Sequence, residues 1–312
     1  MTVLFNPLRF RMRWALYERF RDLIISNPKI KLYTAEIAFG DRAFAATAND
    51  NPQHLQLRSH DILWCKERAL NLLERRLPND WKYAAWIDAD IAFIRPDWAT
   101  ETIQQLQLYN VVQMWSDGLD LDYDYKPIAN LESFVQSWKN GSKPSANFET
   151  IGYYQRIQKK EKVAAPKYQW HPGFAWAWTR NAWEEVGGML DIGILGAGDN
   201  HMAKALIGDG IGSVHPQIKG SYLDEIIAWQ TRASRLQKNI GVMNGTIFHH
   251  WHGPKINRKY WDRWKILVDN NFDPRSDLEI AENGLYRISE RNVGLRDDIR
   301  KYFSERNEDA LS

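Results

Sequence analysis

The chain has 312 residues, with 41 Lys and Arg against 39 Asp and Glu and a net charge of +2. That length suits one large α/β domain or two small ones, and so balanced a charge gives no support to a nucleic-acid partner. The single cysteine, Cys65, excludes an intramolecular disulfide. No apolar run approaches a bilayer crossing, and Met1 to Pro7 lacks the core of a secretory signal. The expected setting is therefore cytoplasmic, with any membrane contact peripheral.

Strands alternate with helices in the first third, the pattern of an α/β layer fold. Thr2–Phe5 reads as a short buried strand and Arg11–Ile25 as a helix with Leu16, Phe20, Leu23 and Ile24 on one stripe. Lys29–Ile37 reads as a strand. Asp61 is placed to cap a helix carrying Ile62, Cys65, Ala69, Leu72 and Leu73, ended by Pro78. Tyr83–Ile94 is a dense apolar strand interrupted by two aspartates. A helix then starts at Asp97 or Thr100, and Asn110–Trp115 reads as a strand. From Asp117 to Pro166 the pattern dissolves into polar loops around one helix, Leu131–Trp138. Regularity returns with a strand over Trp170–Thr179, a helix over Asp199–Ile207, and short strands at Ile211–Val214 and Thr246–Trp251. Residues 1–270 form the expected main domain. Residues 271–312 read as a charged helical extension whose last ten or so residues fray.

The segment Trp86-Ile87-Asp88-Ala89-Asp90-Ile91-Ala92-Phe93 carries the sharpest chemical signal. Carboxylates two residues apart share one side of an extended chain. Two such charges among apolar neighbours need a counter-charge, which a hard divalent cation such as Mg²⁺ or Mn²⁺ supplies. A second signal is Phe248-His249-His250-Trp251-His252-Gly253-Pro254-Lys255, where His250 and His252 are the expected further metal ligands, His250 first, and Lys255 follows a Gly-Pro turn. A zinc site is the competing reading of these histidines, less fitting because no cysteines accompany them. The third signal joins Gly173, which lets a backbone approach a ligand closely, to Gly196-Ala197-Gly198-Asp199. Asp199 is placed both to cap a helix and to accept a proton. Asp120, Asp122 and Asp124 mimic the start of a calcium loop, but Tyr125 and Leu131 stand where that loop needs Gly and Glu, so a mobile acidic loop is the expectation.

The order of these motifs resembles GT-A glycosyltransferases. Trp86 to Phe93 resembles the D-x-D strand of the glycogenin-like and lipopolysaccharide galactosyltransferase-like group. His250-Trp251-His252-Gly253-Pro254-Lys255 is similar to that group's H-x-x-G-x-x-K turn, with the lysine one residue closer. Gly187-Gly188 through Asp199 resembles the Gly-Gly to Glu-Asp block of β-1,4-galactosyltransferase-like and family-2-like enzymes, with Gly198 where that block has Glu. The resemblance spans roughly residues 60 to 260. It implies a Rossmann-like GT-A domain with a mixed central sheet and a C-terminal extension.

The mechanism it implies has Asp88, Asp90 and His250, with His252, organising Mn²⁺ or Mg²⁺ on the diphosphate of a nucleotide sugar, a UDP-sugar above all. Lys255 meets the leaving diphosphate, Lys66 and Arg68 reach the nucleotide, Gly173 approaches the donor, and Asp199 is the base toward a glycan or glycan-lipid hydroxyl. Trp170, Trp176 and Trp178 are candidates for stacking on a sugar. The rival acceptor is hydroxymethylated pyrimidine in DNA, supported by the basic run from Lys255 to Lys265. A non-catalytic carbohydrate-binding module and a nucleotidyltransferase are the rival functions.

Overall fold

The computed structural model describes residues 1–142 and 167–310. Its architecture is mixed α/β. Strands β1 (Thr2–Phe5), β2 (Thr34–Phe39) and β3 (His54–Ser59) form a parallel sheet in the order β1-β2-β3. A second sheet has the order β11-β6-β10-β4, built from β4 (Tyr83–Ile87), β6 (Val111–Gln113), β10 (Ala175–Thr179) and β11 (Ile240–Val242). The two sheets meet through Met1, whose nitrogen donates to Ala85 O at 2.6 Å and whose carbonyl accepts from Ile87 N at 3.0 Å. The third sheet has the order β5-β12-β7-β8-β9, from β5 (Ile91–Phe93), β7 (Asp117–Leu121), β8 (Pro127–Ser133), β9 (Lys167–His171) and β12 (Thr246–His249).

The central strands are buried on both faces, and the two-residue repeat divides the core. Along β10, Trp176 and Trp178 join one apolar cluster while Ala175 and Ala177 join the other. Trp86 and Val111 follow the tryptophans; Ile87 and Val112 follow the alanines. Trp176 and Trp178 are thus core residues with no open face for a sugar, while Trp170 is half-buried and makes a T-shaped contact with Phe134 at 5.1 Å.

Helix α1 (Arg11–Ile25) has its expected bounds, though Tyr17 is buried and Leu23 is exposed. Helix α2 (Lys66–Glu74) begins later than expected, because the Asp61 carboxylate accepts from Ile288 N at 2.8 Å instead of capping it. Helix α3 (Trp98–Gln105) follows Asp97. Helix α4 (Phe134–Lys139) is capped by Ser133, which accepts from Gln136 N at 3.2 Å, so Leu131 to Ser133 finish β8 rather than start the helix. The stretch expected as an acidic loop is the strand pair β7–β8, and residues 143–166 lie outside the described residues. Helix α5 (Arg180–Val186) ends at Gly187 (φ 75°), α6 (Gly198–Leu206) carries Asp199, and α7 (Ser221–Ala233) was not legible in the sequence. Residues 211–213 form a 3₁₀ turn instead of a strand.

After α8 (Asp262–Asp269), the chain forms the short helix α9 (Pro274–Asp277), the hairpin β13 (Leu278–Ile280) and β14 (Tyr286–Ile288), and α10 (Val293–Ser304). Leu285, Ile288, Leu295, Ile299, Tyr302 and Phe303 join the main core. Residues 305–310 are packed rather than frayed, with Glu308 only 4% exposed. Among the described residues no helix is long and apolar enough to cross a membrane.

Candidate functional site

The apolar run from Tyr83 to Ile94 is two strands in two different sheets, and Asp88-Ala89-Asp90 is the corner between them. The chain turns at Ala89 and Asp90, so the premise that both carboxylates share one side fails. Asp88 receives Lys66 Nζ at 3.0 Å, while its backbone nitrogen donates to Phe174 O at 2.7 Å. Asp90 faces the opposite group: its Oδ2 lies 3.0 Å from His252 Nε2 and 3.6 Å from Arg13 Nη1.

Strand β12 brings the histidines to Asp90. It pairs with β5 on one side and β7 on the other, and His250 N donates to Asp90 O at 2.8 Å. Where the strand ends the chain curls, so His249 and His252, three residues apart, converge with their Nε2 atoms 3.2 Å apart. Asp90, His249 and His252 each offer a ligand atom within 4.8 Å of the other two, and all three are buried. The expected set of Asp88, Asp90, His250 and His252 is therefore not what converges. Asp88 is held by Lys66. The His250 ring lies edge-on to Tyr125 at 6.0 Å, and neither of its nitrogens has a hydrogen-bond partner.

The surroundings prepare His249 as a ligand. Its Nδ1 lies 2.7 Å from Asp120 Oδ1, and Lys255 Nζ holds the other oxygen of Asp120. Burial opposes the charge of Asp120, but Lys255 and His249 hold its carboxyl well below the usual range, so it is an anion and Nδ1 is the protonated nitrogen. The lone pair is thereby left on Nε2, the arrangement that carboxylates impose on metal-binding histidines. Burial, reinforced by Arg258 and Arg13, holds the His252 pKa well below its usual value. Despite burial, His252, His249 and Arg13 hold Asp90 ionised.

The donor set fits a divalent cation on two further counts. Asp90 Oδ1 is buried without a hydrogen-bond partner. His252 Nε2 is approached by Asp90 Oδ2 at 3.0 Å and by Arg258 Nη2 at 2.6 Å. One ring nitrogen cannot donate to the first and accept from the second. A cation between Asp90 and the two imidazoles would take the Nε2 lone pair and remove the need for a proton toward Asp90, with Arg258 left to turn to another acceptor; two nitrogens with one carboxylate oxygen suit Mn²⁺ or Zn²⁺.

A second group lies on the Asp88 side. Lys66 sits 4.4 Å over the Trp86 ring, and although burial opposes its charge, Asp88, Glu67 and Asp199 raise its pKa. Burial, together with Asp199 and Asp88, pushes the Glu67 carboxyl up to about 7 against the pull of Lys66. Asp199 stands in the first turn of α6, and a Cβ on Gly173 would lie 2.8 Å from its Oδ2. The room that Gly173 leaves is thus taken by the Asp199 carboxylate, whereas the approach expected of it was to a ligand. The flanking residues Phe174 (φ 82°) and Ala197 (φ 81°) hold left-handed backbone that non-glycine residues rarely adopt, a strain that gathers at functional sites.

Arg68 and Gly187-Gly188 are drawn elsewhere. Arg68 donates to Gly284 O at 2.6 Å, pairs with Asp191 at 3.2 Å and stacks on Tyr286. Together with Gly187 and Gly188 it lines a cleft of about 750 Å³ between α2, α7 and the C-terminal hairpin. A separate cleft of about 560 Å³ opens at the carboxyl ends of β1, β2 and β3, lined by Pro7, Phe39, Arg42, His60 and Arg300. Crevices at strand carboxyl ends are where open α/β sheets bind nucleotides.

Arg13, Glu67 and Glu308 were not among the residues expected at the site, Asp120 was expected only in an acidic loop, and the expected histidine ligands were His250 and His252 rather than His249. Only Asp120 left a usable signal, an aspartate inside an alternating stretch that turned out to be a strand.

No family model matches the chain, and no curated protein matches it. A solved structure described as a "putative nucleotide-diphospho-sugar transferase" from Desulfovibrio desulfuricans G20 aligns over 96% of this chain and 94% of its own, at 9% identity and a TM-score of 0.30. That likeness is too slight to argue fold or function from.

Proposed function

We propose that the chain is a metal-dependent glycosyltransferase of the GT-A type, transferring a sugar from a nucleotide-sugar donor, a UDP-sugar first, to a glycan or glycan-lipid hydroxyl. The observation that carries the reading is the convergence of Asp90, His249 and His252 at the corner of the D-x-D segment, with Asp120 orienting His249. Those three residues would hold a divalent cation, Mn²⁺ before Mg²⁺ because two of the ligands are imidazole nitrogens, and it would supply counter-charge to the diphosphate. The nucleoside is assigned to the cleft at the carboxyl ends of β1 to β3. Lys66 stands between Asp88 and the tryptophan face of Trp86 as the cation nearest the transferred sugar. Lys255 is engaged with Asp120, so its assigned part is to keep Asp120 and His249 in place rather than to meet phosphate.

Asp199 is assigned as the base. The acceptor oxygen attacks the anomeric carbon, the bond from that carbon to the diphosphate breaks, the diphosphate leaves with the electron pair, and the Asp199 carboxylate takes the acceptor's proton. Attack from the face opposite the leaving group inverts the anomeric centre.

Two observations weigh against the rivals. The basic run after Gly253 is largely neutralised within the chain: Lys259 pairs with Glu305, Lys265 with Asp269 and Lys255 with Asp120. That disfavours a phosphate-tracking DNA groove. A carbohydrate-binding module has no use for a buried carboxylate and two buried imidazoles. The test is calorimetry of UDP and GDP with Mn²⁺ and with EDTA. Binding is expected only with the metal; equal affinity in EDTA would overturn the reading.

A further inference from the structure

The last described residues of the chain are built into the candidate metal site. Glu308 is 4% exposed, although a charged residue near a chain end would ordinarily be solvated. Its carboxylate receives Arg13 Nη2 at 3.1 Å and Arg13 Nε, and pairs with Arg306 Nη2 at 2.7 Å. The remaining nitrogen of Arg13, Nη1, points at Asp90 Oδ2 from 3.6 Å. Arg13 is therefore shared between a carboxylate of the cation site and a carboxylate of the C-terminal segment.

The segment is docked at several points. Asp309 accepts from Arg11 N and Met12 N, both at 2.9 Å, and so satisfies the free amides at the start of α1, the helix that carries Arg13. Trp251 Nε1 donates to Ala310 O at 2.8 Å and Asn257 Nδ2 to Arg306 O at 3.2 Å, which ties the segment to the histidine turn. Gly253 belongs to the same contact, since a Cβ there would lie 2.6 Å from Glu308 Cα. One short stretch thus fixes both the turn bearing His252 and the helix bearing Arg13.

We propose that Glu308 is a positioning residue that sets the cation affinity of the Asp90–His249–His252 cluster by holding Arg13 back from Asp90. The inference rests on the metal reading above. A guanidinium beside Asp90 competes with a divalent cation for the same oxygen and repels it. Glu308 occupies two of the guanidinium's N–H directions and offsets its charge. Without that carboxylate, Arg13 is free to close on Asp90 and takes the cation's place.

The experiment is a titration of the full chain with Mn²⁺ alone, followed by calorimetry or by the electron paramagnetic resonance of free Mn²⁺. Glu308→Gln keeps shape and removes charge; it is expected to weaken Mn²⁺ binding about 10- to 100-fold, the usual cost of losing a group that supports metal ligands. In an Arg13→Gln background the same change is expected to cost less than about threefold, because the coupled partner is gone. A merely structural role would lower the melting temperature in both backgrounds and leave no such dependence on Arg13. Should Glu308→Gln fail to fold, Asp309→Ala carries the test, since it unties the segment from α1 without touching either charge, and weaker Mn²⁺ binding is again expected. Unchanged affinity in Glu308→Gln, or an equal loss in both backgrounds, overturns the inference. A parent protein that binds no Mn²⁺ overturns the metal reading itself, which is a different failure.

Discussion

Asp88 and Asp90 are two residues apart in the chain and stand in different neighbourhoods. Around Asp88 the charges are mixed and close: Lys66, Glu67 and Asp199 share one pocket, and burial pushes Glu67 up to about 7. Around Asp90 there are two imidazoles and two arginines, and its carboxyl is held well below the usual range. On the first side one lysine stands among three carboxylates. The second is a place where unprotonated ligand atoms converge and a buried carboxylate oxygen lacks a partner. Paired acidic residues in a sequence therefore need not share partners; the turn at Ala89 and Asp90 gives these two different ones, Lys66 for Asp88 and His252 for Asp90.

The largest expected effect tests that division directly. Asp90→Ala should abolish Mn²⁺ binding and lower turnover by at least about a thousandfold, since bound metal contributes several kcal/mol to such a transition state. Asp88→Asn should leave the affinity for Mn²⁺ alone within a few-fold and act on turnover instead. If calorimetry finds the two variants equally poor at binding Mn²⁺, the two neighbourhoods are one site.

Next in size is Asp199→Asn. Asp199 stands in the first turn, after the N-cap Ala197, so asparagine keeps its shape, gives up only the helix-dipole interaction of about 0.3–1 kcal/mol and is no base; the melting temperature should change little and donor affinity should hold while turnover falls at least about a hundredfold. Retained turnover, or a product whose NMR spectrum shows the donor's anomeric configuration preserved, would leave Asp199 as a helix-terminal residue only.

The smallest effect sharpens the account of the Asp88 side. Glu67 keeps its proton in the folded chain up to about pH 7, whereas the unfolded chain releases it near 4.5. Between those values the native state binds the extra proton, so this group's contribution to stability falls as pH rises and is level above about 7. Glu67→Gln removes that loss. Its unfolding free energy relative to the parent, followed by denaturant titration, should climb from pH 4.5 to 7 and then stay flat, by an amount on the order of 1–3 kcal/mol. A difference that is the same at every pH would mean that Glu67 is ionised throughout.

Local pattern was enough for much of the framework. The bounds of α1 follow from one apolar stripe with a 3.6-residue repeat, and the Thr2–Phe5 strand from a short apolar run that ends before Asn6 and Pro7. The apolar setting of Asp88 and Asp90 and the glycine beside Asp199 were also legible, because each depends on residues adjacent in the chain. What the sequence could not supply was the choice among partners. His249 rather than His250 joins Asp90 because β12 pairs with β5 and β7, setting His249 opposite Asp120, 129 positions away. Glu308 reaches Arg13 across 295 positions, through a tail whose composition alone looked free. Those pairings are made by sheet register and by a turn between two sheets, and neither is written in the spacing of the residues it brings together.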